Sequence, residues 1–272
     1  MIPSELQPDQ RPERWDDHVS VYEDVFEPFT LQFAEIAIAH LGATAGQAMI
    51  DVGAGSGGAA LALAAQGADV TAVDASVKMC ERIAARGIAR RLQLAARVMD
   101  GQALQFADGS FDAALSVFGV VLFPNAVQGL AEMRRVVRPG GRVAVVTWTE
   151  PQSYELATEM RAATAAVRPD QPMAELPAQL RYRELRDFDG LFLAAGFKGA
   201  DIGCHTALLR APSAQWLGQR IGFAPGMAVQ LDGLGTARDL VVDRLVRNLE
   251  ARFGHGEVNL AAKAFVGSAT VV

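Results

Sequence analysis

Three acids, Asp51, Asp74 and Asp100, each close a short, mostly apolar run in the first half of the chain. Such spacing could hold a positively charged nucleoside. Asp51 opens the string Asp51-Val52-Gly53-Ala54-Gly55-Ser56-Gly57-Gly58. Gly53, Gly55 and Gly58 fit the G-x-G-x-x-G pattern, in which missing side chains permit a sharp turn and let a ligand lie against backbone. That pattern alone admits a nicotinamide oxidoreductase. A pyrophosphate, however, would meet the charge of Asp51 just ahead of Gly53, whereas an ammonium or sulfonium would be attracted. Asp74 stands about twenty residues beyond Gly55, the separation of a β-α-β unit, and a carboxylate there can accept both hydrogen bonds of a ribose diol.

The elements that must position these acids alternate. A strand through Val52, a glycine turn and an alanine-rich helix ending near Gly67 form the first unit. Residues 68–74 read as a second strand, Ser76 caps a helix through Arg86, and residues 91–100 read as a third strand. Residues 111–120 supply a fourth strand, 125–137 a helix and 140–148 a fifth, with Pro139-Gly140-Gly141 as the turn before it. Five β-α units by Trp148 predict a doubly wound, mostly parallel sheet. Upstream, residues 1–15 carry Pro3, Pro8 and Pro12 and are expected as a loose arm; residues 19–41 read as two helices kinked at Pro28. Later, 187–195 is expected as helix, 197–209 as strand, 212–252 as broken helix and 257–267 as the last strand. The expected organisation is one α/β domain over 1–272: a helical lid (1–45), a cofactor-binding core (46–150), helical caps (151–186 and 211–252) and the end of a seven-stranded sheet (187–210 and 253–272).

Three further segments agree with the glycine string in order and spacing. These are Val73-Asp74-Ala75-Ser76 with Met79, Asp100-Gly101-Gln102 with the run Asp108 to Asp112, and Glu132 to Gly141. Together, over roughly Met49 to Trp148, they resemble the Rossmann-like S-adenosylmethionine-dependent methyltransferases, nearest to the subgroup with ubiquinone- and menaquinone-pathway and natural-product tailoring enzymes. The resemblance implies that S-adenosylmethionine lies against Gly53, Ala54, Gly55 and Gly57, with Asp51 nearby. It implies that Asp74 holds the ribose with Ala75 and Met79 beside it, and that Asp100, Gly101 and Gln102 border the adenine. Ser116, Val117 and Phe118 would flank the cofactor, Tyr22 would be a lid contact, and Phe123 would stand near the transferred methyl. Gly101 departs from the alanine common in the family. No Asn/Asp-Pro-Pro-aromatic string follows strand four, where Phe118-Gly119-Val120 stands instead, which speaks against methylation of DNA amino groups.

Methyl transfer from a sulfonium is an in-line displacement in which positioning and exclusion of water supply most of the effect. The expected acceptor is a small, largely apolar or aromatic metabolite, methylated on O, N or C. His18, one turn before Tyr22, is the candidate proton acceptor, and Trp148, Arg183, His205 and Trp216 are candidate pocket residues. The alternatives are an NAD(P)-dependent oxidoreductase and a non-catalytic cofactor-binding protein.

Composition narrows the partners. With 25 basic against 31 acidic residues the net charge is −6, which gives no reason to expect nucleic acid. The longest apolar stretch, near 113–123, is short for a membrane span, and the start lacks a signal-peptide layout. Cys80 and Cys204 are too far apart for a metal knuckle, so no metal is expected, and a reducing cytoplasm suits them. The chain is expected as a monomer or homodimer.

Overall fold

A computed structural model describes residues 6–170 and 177–272. Seven strands form one sheet in the order β3-β2-β1-β4-β5-β7-β6: β1 (Ala48–Val52), β2 (Asp69–Asp74), β3 (Leu94–Val98), β4 (Phe111–Val117), β5 (Val137–Trp148), β6 (Asp201–Ala211) and β7 (Val258–Thr270). The first five are parallel, and β7 inserts antiparallel between β5 and β6. The expected doubly wound, mostly parallel sheet is present. Its strand order reverses between β1 and β4, and at such a switch point a crevice opens beyond the carboxyl ends of the strands.

The central strands are apolar because both faces are covered: Met49, Ile50 and Val52 of β1 and Ala114 and Leu115 of β4 are fully buried. One face is covered by α3 (Glu27–Leu41) and α4 (Gly58–Ala65), the other by α6 (Ala126–Val136) and α8 (Leu185–Ala194). Helix α5 (Val77–Arg90) runs beside β2 and β3, and its first turn is capped by Ser76, whose hydroxyl accepts the Met79 amide at 3.1 Å. Helix α7 (Glu155–Val167) packs against α11 (Arg238–Phe253); α9 (Ala214–Gln219) and α10 (Pro225–Asp232) complete the later cap.

The connection from β3 to β4 is a loop that carries Asp100 to Gln102. Two expectations about turns are corrected. The Pro139-Gly140-Gly141 turn lies inside β5 as an irregular start, where pairing jumps from Phe111↔Val137 to Ala113↔Arg142. The helix break near Pro28 falls at Phe26, between α2 (Val19–Val25) and α3; Pro28 occupies the first turn of α3, where its missing amide costs nothing.

The arm is not loose over its described part. A 3-10 turn (Pro8–Gln10) and α1 (Pro12–Trp15) bury Asp9 and Gln10. Asp9 accepts the Gly226 amide at 2.7 Å, Gln7 accepts the Ala178 amide at 2.5 Å and Gln10 donates to the Leu122 carbonyl at 3.0 Å. Residues 7–10 thereby tie α10, the 177–180 segment and the turn at 120–122 together. At the far edge Gln32 of α3 exchanges two hydrogen bonds with the backbone of Leu208, covering part of an otherwise open edge strand.

Candidate active site

The crevice at the switch point is built from the β1–α4 loop. Gly53, Gly55 and Gly57 have φ of 71°, 56° and 89°, backbone that side-chain-bearing residues rarely adopt. Each also has a close neighbour. A Cβ on Gly53 would stand 2.9 Å from Gly119, and one on Gly57 would stand 2.7 Å from Ile83. Gly58, the last glycine of the dinucleotide-like pattern, has a different reason: a Cβ there would strike the Glu27 side chain at 2.8 Å. A packing need of the lid, not a pyrophosphate, accounts for it.

Asp51 ends β1 beneath this loop and is 1% exposed. Its Oδ2 is buried without a hydrogen-bond partner, and Asp51 lines the cavity beneath the loop. Burial first, then the negative field of Asp74, push its pKa up to about 7, with the Ala60 amide at the start of α4 pulling the other way. Asp74, at the end of β2, accepts the Gly55 amide at 2.8 Å and the Ser76 amide at 2.9 Å. Burial still raises it to about 6. Two carboxylates held back from ionising at one crevice form an electrostatic socket for a cation.

Tyr22 closes this socket from above. Its ring edge and hydroxyl both lie 3.5 Å from where a Cβ on Gly55 would be. Beneath it a cavity of about 20 Å³ remains, lined among others by Glu27, Thr30, Asp51, Gly53, Ala54 and Val117. That space holds about one water. Tyr22 therefore covers the loop at Gly55. Burial and the surrounding carboxylates, Glu27 foremost, raise the phenol well above its ordinary pKa, so it stays protonated.

The lid is fastened along α5 by acids. Asp16 accepts the Ser76 hydroxyl at 2.5 Å and the Lys78 amide at 3.1 Å; Glu23 pairs with Arg82 at 2.6 and 2.8 Å. Glu27 meets both terminal nitrogens of Arg86 at 2.6 Å and accepts the Ser56 hydroxyl, while Arg86 also donates to the Ser56 carbonyl at 2.8 Å. Glu27, Thr30 and Arg86 were not singled out from the sequence. The available signal was an acid in the middle of an apolar helical run.

The other expected residues scatter. Val117 lines the cavity. The Ser116 hydroxyl is spent on the Val52 carbonyl at 2.6 Å and on the Val120 amide at 3.0 Å, which fixes the turn after β4. Phe118 has φ of 60°, unusual for a bulky residue, and stacks on Trp148 with ring centres 3.9 Å apart. Phe123 lies beside Gly53 and fills a socket between Gly101 and Gly129: a Cβ on Gly101 would stand 2.5 Å from its ring. The glycine at 101 is thereby explained.

Asp100 is exposed and accepts the Gln102 amide at 2.8 Å, while Gln102 in turn accepts the Asn125 amide at 2.8 Å. Ala75 is exposed and Met79 buried at the start of α5. His18 precedes α2 with Nδ1 2.7 Å from the Arg14 carbonyl, and it does not line the cavity. Trp148 is 4% exposed within the aromatic core, His205 faces His40 beneath α3, and Trp216 stacks under Arg220 at 4.5 Å. These three are not brought to the crevice; Arg183 lines a separate cavity. Among the described residues no cluster of His, Cys, Asp or Glu could hold a metal, and no helix is long and apolar enough to cross a membrane.

Comparison with known proteins bears on the fold and the domain. Residues 50–145 match the methyltransferase domain family. An uncharacterized protein of Mycobacterium tuberculosis is 34% identical over 138 residues, 51% of this chain and 49% of its own. A demethylmenaquinone methyltransferase of Beutenbergia cavernae is 44% identical over 111 residues, 41% of this chain and 45% of its own. The chain thus spans about half the length of the curated relatives it matches. Among solved structures, a putative methyltransferase from an antibiotic biosynthesis pathway of Anabaena variabilis superposes with a TM-score of 0.61 at 18% identity, covering 88% of this chain and 97% of that one. At such identity the likeness concerns the fold. Residues 50–145 thus match a methyltransferase domain, and the seven-stranded sheet has the α/β fold of the solved methyltransferase it superposes on.

Proposed function

We propose that the protein transfers the methyl group of S-adenosylmethionine to a small, largely apolar or aromatic metabolite. The observation that carries this reading is the unpartnered Oδ2 of Asp51, buried beside Asp74 under a left-handed glycine loop. A cationic amino acid nucleoside supplies what that oxygen lacks, whereas a nicotinamide pyrophosphate would add negative charge to it. The residues present fit the cofactor.

When bound, the cofactor supplies an electrophilic methyl on a sulfonium. The chain's own residues bind and exclude water. Asp74, with one lone-pair direction on each oxygen already used by an amide, retains capacity for the ribose hydroxyls. Gly53 to Gly57 leave backbone open to the methionine portion, and Tyr22 with α2 covers it. Positioning and desolvation are then the main catalytic effects. His18, with its ring engaged by the Arg14 carbonyl outside the cavity, is not assigned the proton.

Calorimetry with S-adenosylmethionine and S-adenosylhomocysteine tests the assignment. Binding in the unmodified protein and its loss in Asp74→Ala support it. Absence of binding to both compounds, with no effect of Asp74→Ala, rejects it. The relative named a demethylmenaquinone methyltransferase favours a quinone-type acceptor; incubation with a labelled donor and a panel of phenols and quinols, scored by product mass, tests that part.

A further inference from the structure

A second cavity of about 240 Å³ lies where the N-terminal arm meets the segment 177–183. It is just below the roughly 300–1,000 Å³ usual for small-molecule sites. Gln7, Gln10, Pro177, Leu180, Arg181 and Arg183 line it. Gln10 anchors its wall to the Leu122 carbonyl. The same stretch of chain meets the glycine loop on its other side, through Gly119 against Gly53 and the Phe123 ring beside Gly53. Residues 119–123 therefore touch both the wall of this cavity and the glycine loop.

The polar lining is one-sided. The Gln7 and Gln10 side-chain oxygens are taken by the Ala178 and Gln7 amides, so neither is a free acceptor toward the cavity. Among the described residues no carboxylate lines the cavity, and none lies within 4 Å of Arg181. Arg183 approaches Glu150 and Glu184 only at 3.6 and 3.8 Å, with the acids half exposed. Such pairs are weak and exchange readily for a better partner. Arg181 and Arg183, whose guanidiniums match planar oxyanions bidentately, both line this space, where among the described residues no carboxylate stands; Arg183 Nη1 also donates to the Leu180 carbonyl at 3.2 Å.

We propose that this cavity receives the acidic end of the methyl acceptor, a carboxylate-type oxyanion held by Arg181 and Arg183, with the acceptor's body directed toward Phe123 and the glycine loop. The inference rests on the methyl-transfer reading and adds to it a negative charge on the substrate.

The test is calorimetry on the full chain saturated with S-adenosylhomocysteine, using 4-hydroxybenzoate, its uncharged counterpart 4-methylphenol, and inorganic phosphate. The expected result is that 4-hydroxybenzoate binds roughly tenfold more tightly than 4-methylphenol, and that Arg181→Ala and Arg183→Ala each remove most of that preference. Arg186→Ala, whose side chain is 90% exposed, should leave it intact. Equal binding of the two phenols, no binding of any probe, or a preference that survives the double replacement overturns the proposal. Arginine-dependent binding of phosphate that 4-hydroxybenzoate does not displace also overturns it and assigns the cavity to a free anion. Failure of S-adenosylhomocysteine to bind strikes the methyl-transfer reading instead; retained binding with lost discrimination isolates the cavity.

Discussion

Glu27 and Arg86 meet through both terminal atoms of each side chain, 2.6 Å apart in each contact and almost wholly shielded from water, so the third helix of the lid is tied to the helix that follows β2. The Ser56 hydroxyl completes the carboxylate's coordination, and the same arginine holds the Ser56 carbonyl. Lid and glycine loop therefore share one buried network. Removing one partner leaves the other charged and unpaired away from water, a loss of about 3–5 kcal/mol. Arg86→Ala should lower stability by that order in denaturant titration. Arg82→Ala, which removes the half-exposed pair with Glu23, should cost within about 1 kcal/mol. Equal losses in the two variants would contradict the assignment.

Asp51 and Asp74 set the pH dependence. Their pKa values of about 7 and about 6 lie above the ordinary 3.8, so the folded protein retains protons that the unfolded chain has released. The stabilising effect of that retention is complete below pH 4 and disappears as pH rises through 6 to 7. At about 1.4 kcal/mol per unit of raised pKa, unliganded protein should lose several kcal/mol from these two acids as pH rises from about 4 to about 7. Asp51→Asn should flatten the decline and stabilise the unliganded protein at pH 8. Affinity for S-adenosylmethionine should rise over the same window, because the cation favours the ionised acid, and Asp51→Asn should abolish that rise. Thermal scans and calorimetry over pH 5 to 8 measure both.

Tyr22 occupies the space above Gly55. If its displacement limits admission of the cofactor, Tyr22→Ala should raise the association rate constant of S-adenosylhomocysteine by roughly tenfold, with a larger gain in dissociation rate because the cover is lost. Stopped-flow fluorescence resolves the two. An unchanged association rate would place the ring outside the path.

Gly101 and Phe123 are complementary in volume. Gly101→Ala, which restores the residue common in the family, places a methyl group 2.5 Å from the Phe123 ring and should destabilise by about 1–3 kcal/mol. Phe123→Leu in the same chain should recover part of that loss. A double-mutant cycle with no coupling between the two positions would refute the fit.

The strands and the glycine loop were legible in the sequence because both depend on local features. Alternating apolar runs and turns indicate β1 to β5, and glycines 53, 55 and 57 mark backbone that needs positive φ. The three acids at strand ends followed from the same periodicity. Less legible was the start of β5, where Pro139-Gly140-Gly141 reads as a turn and only pairing with β4 draws it into the strand. The N-terminal arm also misled, because Asp9 and Gln10 read as polar surface until partners 217 and 112 residues away are brought to them.

Linear order thus determined the fold class, the donor loop and the positions of Asp51, Asp74 and Asp100, since each depends on residues within one β-α unit. Tertiary structure alone decided that Gly58 accommodates Glu27, that Gly101 accommodates Phe123, that Ser116 serves a turn rather than the cavity, and that Arg181 joins Arg183 at a second cavity. Those relations join residues separated by tens of positions, and their energy comes from burial, packing and unpaired charge, which exist only once the elements have closed on one another.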